Sequence, residues 1–545
     1  MGRELQNSIA PRRFTRRTAL QGGLALAAGL AFPEQALANA VGPALIRARP
    51  TLRKGGPPRV GGYRVLAGSL HDHTTDSDGD TASEKVAKFL HDYRRDLGID
   101  YCSLTDHSDF FPVAYQRTAD AAQASDPGLV PVPDLWHRQG ALQDQYRGED
   151  FSLLRGFEWT NDQQNHLNVH FSQNWTSRFI TGDASLRMEP FWQWLSTAPT
   201  PDPTGAGMGV GGGDGIGIFN HPGDKGALNW DDYGLSPTAA ERMALIEIHG
   251  SYGRGGRLDS DGGWYWFALA RGWHVSPVMD WDWHTWNADG ILANPTPGAG
   301  YDDGHTFLPG QRSLVLAKNS LPSSIHGALA ARRTTATEIP DLWATLRGPR
   351  GEWQGGFIEG SPGEKLKLRV DAGSPTEPLQ GVQVISDNGL TGGTYYYGDN
   401  PDWASNHSQL TLSYIEQHRR YLMNGTATRK RLDGGARHDG PPPGTVVASV
   451  PLTGTRATRT IEVTVPTTPS PRPDGRHFFY AIVYAGDAKF PARAWTGPLL
   501  TNPHPGQAQP AATTAHEDSR PTMLSAFTGA GMTASATPRN CGCRT

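Results

Sequence analysis

The stretch Leu70-His71-Asp72-His73-Thr74-Thr75-Asp76-Ser77-Asp78-Gly79 decides how the chain is read. Its two histidines stand one residue apart, and Asp78 follows five residues after the second. On a strand, alternate side chains share a face, so His71 and His73 project together. The turn at 76–79 can bring Asp78 back toward them. Neutral imidazole and carboxylate are ligands for Zn, Mn or Fe. The alternative is two solvated histidines in a polar loop, and similar fragments further along the chain weigh against it.

Tyr63-Arg64-Val65-Leu66-Ala67-Gly68 predicts a short strand that delivers the histidine pair. Thr81-Ala82-Ser83-Glu84 resembles a capping box, and Val86, Phe89, Leu90, Tyr93 and Leu97 then recur at helical spacing until Gly98. Ile99-Asp100-Tyr101-Cys102-Ser103-Leu104 predicts a second strand, delivering Thr105-Asp106-His107. Strand, helix and strand make a βαβ unit, whose strand ends are natural ligand sites. Leu153-Leu154-Arg155-Gly156-Phe157-Glu158 repeats the device with a glutamate. In His166-Leu167-Asn168-Val169-His170-Phe171 both histidines lie on one face, and either could be a ligand. The Gly-rich run 205–217 is a loop without the lysine and spacing of a phosphate-cradling loop. Ile216-Gly217-Ile218-Phe219 leads to Asn220-His221-Pro222, and Val275-Ser276-Pro277-Val278-Met279 leads to Asp282-Trp283-His284. Glu247 and His249, ending Ala244-Leu245-Ile246-Glu247-Ile248-His249, read as structural or pocket-lining. Strand after strand thus ends in His, Asp or Glu, and in a parallel barrel such ends meet at one rim.

The 545 residues leave room for more than one domain, and the many Gly, Pro and Trp suit a loop-rich enzyme better than a helical bundle. The formal net charge is −4, and no basic stripe supports nucleic-acid binding. Residues 1–40 read as a targeting leader. Thr15-Arg16-Arg17-Thr18-Ala19-Leu20 resembles the twin-arginine motif, an apolar run extends to Phe32, and Ala38-Asn39-Ala40 is a small-x-small cleavage site. The expected partner there is the twin-arginine translocation machinery, and the expected location periplasmic or extracellular. The apolar run is short for a membrane span, and no other candidate is evident in the mature chain. Cys102 reads as a small buried residue, and Cys541 with Cys543 would close only a small strained ring.

Residues 41–62 read as an exposed lead-in. From about Pro340 the pattern changes to alternation, as in Lys365-Leu366-Lys367-Leu368-Arg369-Val370 and Phe478-Phe479-Tyr480-Ala481-Ile482-Val483-Tyr484. This predicts a β-sandwich over 340–503. It could be a rigid companion, a wall of the cleft or a binding module. Tyr395, Tyr396 and Tyr397 are an aromatic run that cross-strand packing explains equally well. Residues 504–545 lack the apolar content for a core and predict disorder.

The order His-x-His, Ser-Asp-Gly, Thr-Asp-His, Gly-x-Glu, His, His-Pro, Asp-x-His resembles the polymerase and histidinol phosphatase (PHP) superfamily over 65–337. The Gly-Phe-Glu-Trp and Asn-His-Leu-Asn-Val pieces are closest to an exported branch. The resemblance implies an α/β fold, a distorted (β/α)7 TIM-like barrel over 63–339. It also implies two or three divalent ions. His71, His73, Glu158 and Asp282 would hold one; Glu158 would bridge to a second held by His166 and His221; Asp78, His107 and His284 would hold the third. A His-rich set suits Mn, Zn or Fe. The implied reaction is hydrolysis of a phosphomonoester or phosphodiester by metal-bound hydroxide. The family often has Asp two residues before the first histidine, where this chain has Ser69. Asp106 is a candidate supporting carboxylate, or bonds the backbone of its own turn. Residues 328–337 resemble the helix that closes family barrels, and Arg332 or Arg333 could meet a phosphate or be solvated. Trp281, Trp283 and Trp286 wall the pocket or pack the barrel top. Two further readings stay open: an amidohydrolase-type enzyme cleaving a C–N or C–O bond, and a non-catalytic surface-binding protein.

Overall fold

The computed structural model describes residues 57–113, 115–117, 129–131, 135–161, 164–182, 187–201, 210–222, 229–248, 263–284, 286, 310–387, 445–470, 472–486 and 491–503. The leader 1–40, most of the lead-in, His249, the tyrosines 395–397, Cys541, Cys543 and the tail 504–545 lie outside them.

The predicted βαβ unit is present. β1 (Arg59–Val60) pairs with the start of β2 (Tyr63–Ser69), so the end of the lead-in is an edge strand with Val60 buried. The helix Ser83–Leu97 buries Val86, Phe89, Leu90 and Leu97 and stops at Gly98, whose φ of 63° is the left-handed cap geometry. Its N-terminus differs from the expected capping box. The cap residue is Ala82 and has no side-chain hydrogen bond, while the Thr81 hydroxyl donates to Asp80 Oδ1 at 2.9 Å. β3 (Tyr101–Leu104) then pairs parallel with β2 and is buried throughout, with Cys102 in its interior.

β4 (Tyr115–Arg117) and β5 (Leu129–Pro131) form a separate two-stranded ladder. The main sheet continues through β6 (Ser152–Trp159), β7 (Leu167–His170), β8 (Ile216–Phe219), β9 (Met243–Glu247) and β10 (Ser276–Val278), in the order β10-β9-β8-β7-β6-β3-β2. The pairs β3–β6, β8–β9 and β9–β10 are parallel. β7 alone in this run is reversed, antiparallel to both β6 and β8. The link from Trp159 to Leu167 is too short for a helical crossover, which needs roughly a dozen residues, so the chain turns straight back. The two ends of the run meet beyond β2 and β10. His73 N donates to Trp283 O at 2.9 Å and Asp282 N donates to His71 O at 2.7 Å.

β11 (Arg312–Ala317) pairs antiparallel with the other edge of β2, and β12 (Thr334–Thr337) follows antiparallel to β11. The helix between them, Pro322–Ala330, ends before Arg332, so the segment expected to be one closing helix is a helix, a turn and a strand.

β13 (Trp343–Arg347), β14 (Lys365–Gly373) and a later strand, β17 (Arg456–Thr464), form an antiparallel three-stranded sheet. β15 (Leu379–Ser386), β16 (Thr445–Pro451), β18 (Arg476–Gly486), β19 (Pro491–Thr496) and β20 (Leu499–Pro503) belong to the large sheet, which they join where β19 pairs with β12. Alternate residues Leu366, Leu368 and Val370 of β14 are buried in one apolar cluster with Val382 and Val384 of β15 and Phe479, Ala481 and Val483 of β18. The two antiparallel layers thus enclose a common core, as the alternating pattern requires.

A second apolar cluster joins the halves. Trp264, Tyr265 and Trp266 of the helix Gly263–Ala270 share it with Phe478, Tyr480 and Trp495. Arg472, buried, donates to the carbonyls of Leu269, Gly272 and Trp273 at 2.6, 3.0 and 3.0 Å and satisfies that helix's C-terminal end. The described chain is mixed α/β, with one large sheet and few helices. Among the described residues no helix is long and apolar enough to cross a membrane.

Candidate metal centre

The nine expected ligands gather at one rim, because parallel strands deliver most of them from their C-terminal ends and the reversed β7 presents His166 from its N-terminal end. His71 and His73 follow β2. The turn after them closes through Gly79 N donating to Thr74 O at 2.8 Å. A Cβ on Gly79 would lie 2.7 Å from Thr74 Cα, so only glycine permits this approach. Asp78 is thereby placed 3.4 Å from His107 Nε2, 3.2 Å from His284 Nε2 and 3.7 Å from His73 Nδ1.

Asp106 braces the same turn. Its carboxylate accepts from Thr74 N at 2.7 Å, Thr74 Oγ1 at 2.9 Å, Ser77 Oγ at 2.7 Å and Gln139 Nε2 at 3.2 Å. It supports the turn that carries Asp78 and not its own. Burial and the neighbouring Asp76 carboxylate push Asp106 up to about 7.

Glu158, wholly buried on β6, is the hub. His71 Nε2 and His166 Nδ1 lie 3.1 Å from Oε1 and His221 Nε2 lies 3.4 Å from it, while His107 Nδ1 and His73 Nε2 lie 2.6 and 3.6 Å from Oε2. Asp282 Oδ1 is 2.9 Å from His73 Nε2, 3.3 Å from His71 Nε2 and 3.8 Å from His284 Nδ1. Four overlapping groups could each hold an ion: His73, Asp78, His107 and His284; His71, His221 and Asp282; His71, His73 and Glu158; His107, Glu158 and His166. Within each, the donor atoms lie within 4.8 Å of one another. All of the residues expected as ligands fall in these groups. The partition differs in detail, with His73 drawn to Asp78, and His221 to His71 and Asp282.

The donor set fits divalent cations. Among the described residues, both ring nitrogens of His221 and Asp282 Oδ2 are buried without a hydrogen-bond partner. His71 Nε2 and His73 Nε2 face each other at 3.2 Å. Buried polar atoms left unpaired, and ring nitrogens turned to a common centre, are what a bound cation would satisfy. The charges agree. Burial and the neighbouring His284 and His107 bring His73 down to about 3, so its imidazole is neutral. Burial alone would lower His71, but Asp282, Glu158 and Glu247 outweigh it and hold it well above its ordinary value. The carboxylates around His71 thus favour positive charge there. His221 and Asp282 also have φ of 29° and 50°, the left-handed region that side chains avoid unless their surroundings hold them there.

The reversal of β7 separates the two histidines that the sequence left open. His166 precedes β7 and stands at the rim beside Glu158. His170, opposite Gly156 in the ladder, lies deep in the sheet with Nδ1 3.1 Å from Ser103 Oγ.

Arg332 and Arg333 are not at the site. Arg332 donates to the carbonyls of His274, Ala240 and Glu241, which precede β10 and β9, and Arg333 stacks on Tyr63 at the start of β2. That is the opposite end of the sheet from His71, because the register sets Thr334 and Leu66 both beside Val315. The tryptophans pack. Trp281, Trp283 and Trp286 share a cluster with Phe89 and Leu90, and Trp286 Nε1 donates to His73 O at 2.6 Å.

Two supporting residues carried no role in the sequence. Asn220 Nδ2 donates to Glu158 Oε1 at 2.9 Å, and Thr160 Oγ1 lies 2.6 Å from His107 Nδ1. Glu247, read as structural or pocket-lining, lies directly behind His71, with Oε1 2.8 Å from Nδ1. Asn220 adjoins His221, and Thr160 follows Glu158 by two residues, so proximity to a candidate ligand was the available signal. Ser69 Oγ accepts from Trp281 N at 3.1 Å and lies 3.3 Å from His71 O, tying the two ligand-bearing segments together.

Neither a family profile nor a curated protein sequence matches the chain. Among solved structures, a two-domain protein from Bacteroides vulgatus containing a predicted PHP-like metal-dependent phosphoesterase aligns at 14% identity with a TM-score of 0.32, over 78% of this chain and 94% of that one. A protein of Corynebacterium diphtheriae with an inferred membrane anchor aligns at 14% identity with a TM-score of 0.14, over 37% of this chain and 46% of that one.

Proposed function

We propose that this chain is an exported, metal-dependent phosphoesterase of the PHP type. The observation that carries the reading is the convergence of five imidazoles on the buried Glu158 carboxylate, with Asp78 and Asp282 alongside. Overlapping donor groups make room for more than one ion, and ions a few ångströms apart suit in-line displacement at phosphorus. We read the seven-strand run as a distorted (β/α)7 barrel and the layers beyond β12 as a β-sandwich.

Two or three Mn, Zn or Fe ions would be held by His71, His73, Asp78, His107, Glu158, His166, His221, Asp282 and His284. When bound, such ions bring the pKa of water toward neutrality and neutralise charge developing on phosphoryl oxygens. The chain does the rest. Neutral His73 presents its nitrogens without first losing a proton. Glu158 and Asp282 stay ionised against their burial because imidazoles surround them, and so supply negative charge to hold cations. The buried surroundings keep the electrostatics strong by excluding bulk water.

The test is metal content of the mature protein together with turnover of chromogenic phosphomonoesters and phosphodiesters, beside His71→Ala and Asp282→Ala. Two or three equivalents of metal, with phosphoester turnover lost in both variants, are the expected result. Turnover confined to amides or lactones would replace the phosphoesterase reading by the amidohydrolase one. Failure to take up Mn, Zn or Fe would remove the metal centre. Export is tested separately: Arg16→Lys with Arg17→Lys should retain the protein in the cytoplasm.

A further inference from the structure

Glu247 ends β9, between β8, which leads to His221, and β10, which leads to Asp282, and is almost completely buried. Its two oxygens have different tasks. Oε1 lies 2.8 Å from His71 Nδ1, and Oε2 accepts from the backbone N of His221 at 2.6 Å. The opposite nitrogen of His71, Nε2, faces Glu158 Oε1 at 3.1 Å and Asp282 Oδ1 at 3.3 Å. An ionised carboxylate can only accept, so the hydrogen bond keeps a proton on Nδ1 and leaves Nε2 as the nitrogen that can give up its proton to a cation. The second contact falls on the residue whose φ is 29°, a backbone geometry that needs an external hold.

Ser69 makes this arrangement informative. The position two residues before His71 carries a hydroxyl here, and it is used on backbone atoms of Trp281 and His71. Among the described residues, no carboxylate from the segment preceding His71 orients its ring. The orienting carboxylate comes instead from across the sheet.

Resting on the metal-centre reading, we propose that Glu247 is a positioning residue that sets the metal affinity of the centre. It does so by holding His71 in the tautomer that presents Nε2 and by pinning the His221 backbone. Outer carboxylates of this kind typically contribute about 10- to 100-fold in metal affinity.

The experiment is a competition titration of Zn²⁺ or Mn²⁺ against a chromophoric chelator, on the mature wild type, Glu247→Gln and Glu247→Ala. Thermal unfolding of the metal-free proteins accompanies it. Wild-type binding with a roughly 10- to 100-fold weaker Glu247→Gln is expected. Glu247→Gln keeps the volume and can replace only one of the two contacts, so it carries the test if Glu247→Ala fails to fold. Wild-type affinity in Glu247→Gln would overturn the proposal, even with a lower Tm, because that is a merely structural role. A wild type that binds no metal would instead sink the underlying reading, so the two failures are distinguishable. A measurement on the unaltered protein adds a further check. In the Zn²⁺-loaded wild type, imidazole ¹⁵N shifts of His71, assigned by difference with His71→Gln, should show a protonated Nδ1. A protonated Nε2 would overturn the proposal.

Discussion

Asp72 and Trp283 form a parallel β-bridge, although neither belongs to a named strand. This contact joins the segment that carries His71 and His73 to the segment that carries Asp282 and His284. The most crowded side of the rim is therefore fixed by backbone hydrogen bonds and does not depend on the side chains for its spacing. Preorganised spacing of this kind is what a multi-ligand centre requires.

Glu158→Gln should be the most damaging single change at the rim. Every candidate group except that of Asp78 and that of Asp282 with His221 contains Glu158. Loss of at least one equivalent of metal is expected by elemental analysis. Phosphoester kcat/KM should fall by about three orders of magnitude, as for loss of a principal electrostatic group.

Metal removal should lower thermal stability. On the proposed reading the folded chain binds the ions and the unfolded chain does not hold them together, so at about 100-fold excess over Kd the gain is roughly 2.7 kcal/mol. Thermal unfolding with EDTA and after restoring Mn²⁺ or Zn²⁺ checks this. An unchanged Tm would contradict it.

His170 gives a pH dependence with a definite sign. Burial brings its folded-state pKa from 6.5 to about 3. Between those values the unfolded chain takes up a proton that the folded chain refuses. The stability involved is complete above pH 6.5 and is lost as the pH falls toward 3, at up to about 1.4 kcal/mol per pH unit. Urea unfolding at pH 7 and pH 5 should show a smaller loss for His170→Gln than for the wild type. Activity at pH 7 should be nearly unchanged, because His170 belongs to none of the candidate ion-holding groups.

Arg332 and Arg333 offer the converse test. Each is occupied at the far end of the sheet, so Arg332→Ala and Arg333→Ala should leave KM for a phosphate ester unchanged. Arg332→Ala should cost stability by about 1–3 kcal/mol, since it strands the carbonyls of His274, Ala240 and Glu241. A raised KM at normal stability would return the arginine to the site.

Much of this was legible in the residues. Apolar runs ending in His, Asp or Glu located the rim, and alternation in Lys365 through Val370 predicted a strand with one buried face. Direction was harder. The sequence marks the strand before His170 but not which way it runs, and the choice between His166 and His170 depends on that reversal. The short link from Trp159 to Leu167 held the information, because loop length forbids a crossover. Arg332 and Arg333 misled because residues 328–337 read as one helix, whereas Arg332 sits in a turn at φ 57°. Glu247 could not be given its task from the sequence, since its partners are 176 and 26 residues away.

β12 pairs with β11 on one side and β19 on the other, so the strand that completes the first half also begins the second. A strand with two obligations makes the melting of either half the melting of both. Ions taken up at the rim would therefore raise the heat tolerance of the β-layers beyond β12. A protein cut after β12 would lose more than an appendage, because an unpaired edge and the aromatic face of the helix Gly263–Ala270 would be laid open to aggregation.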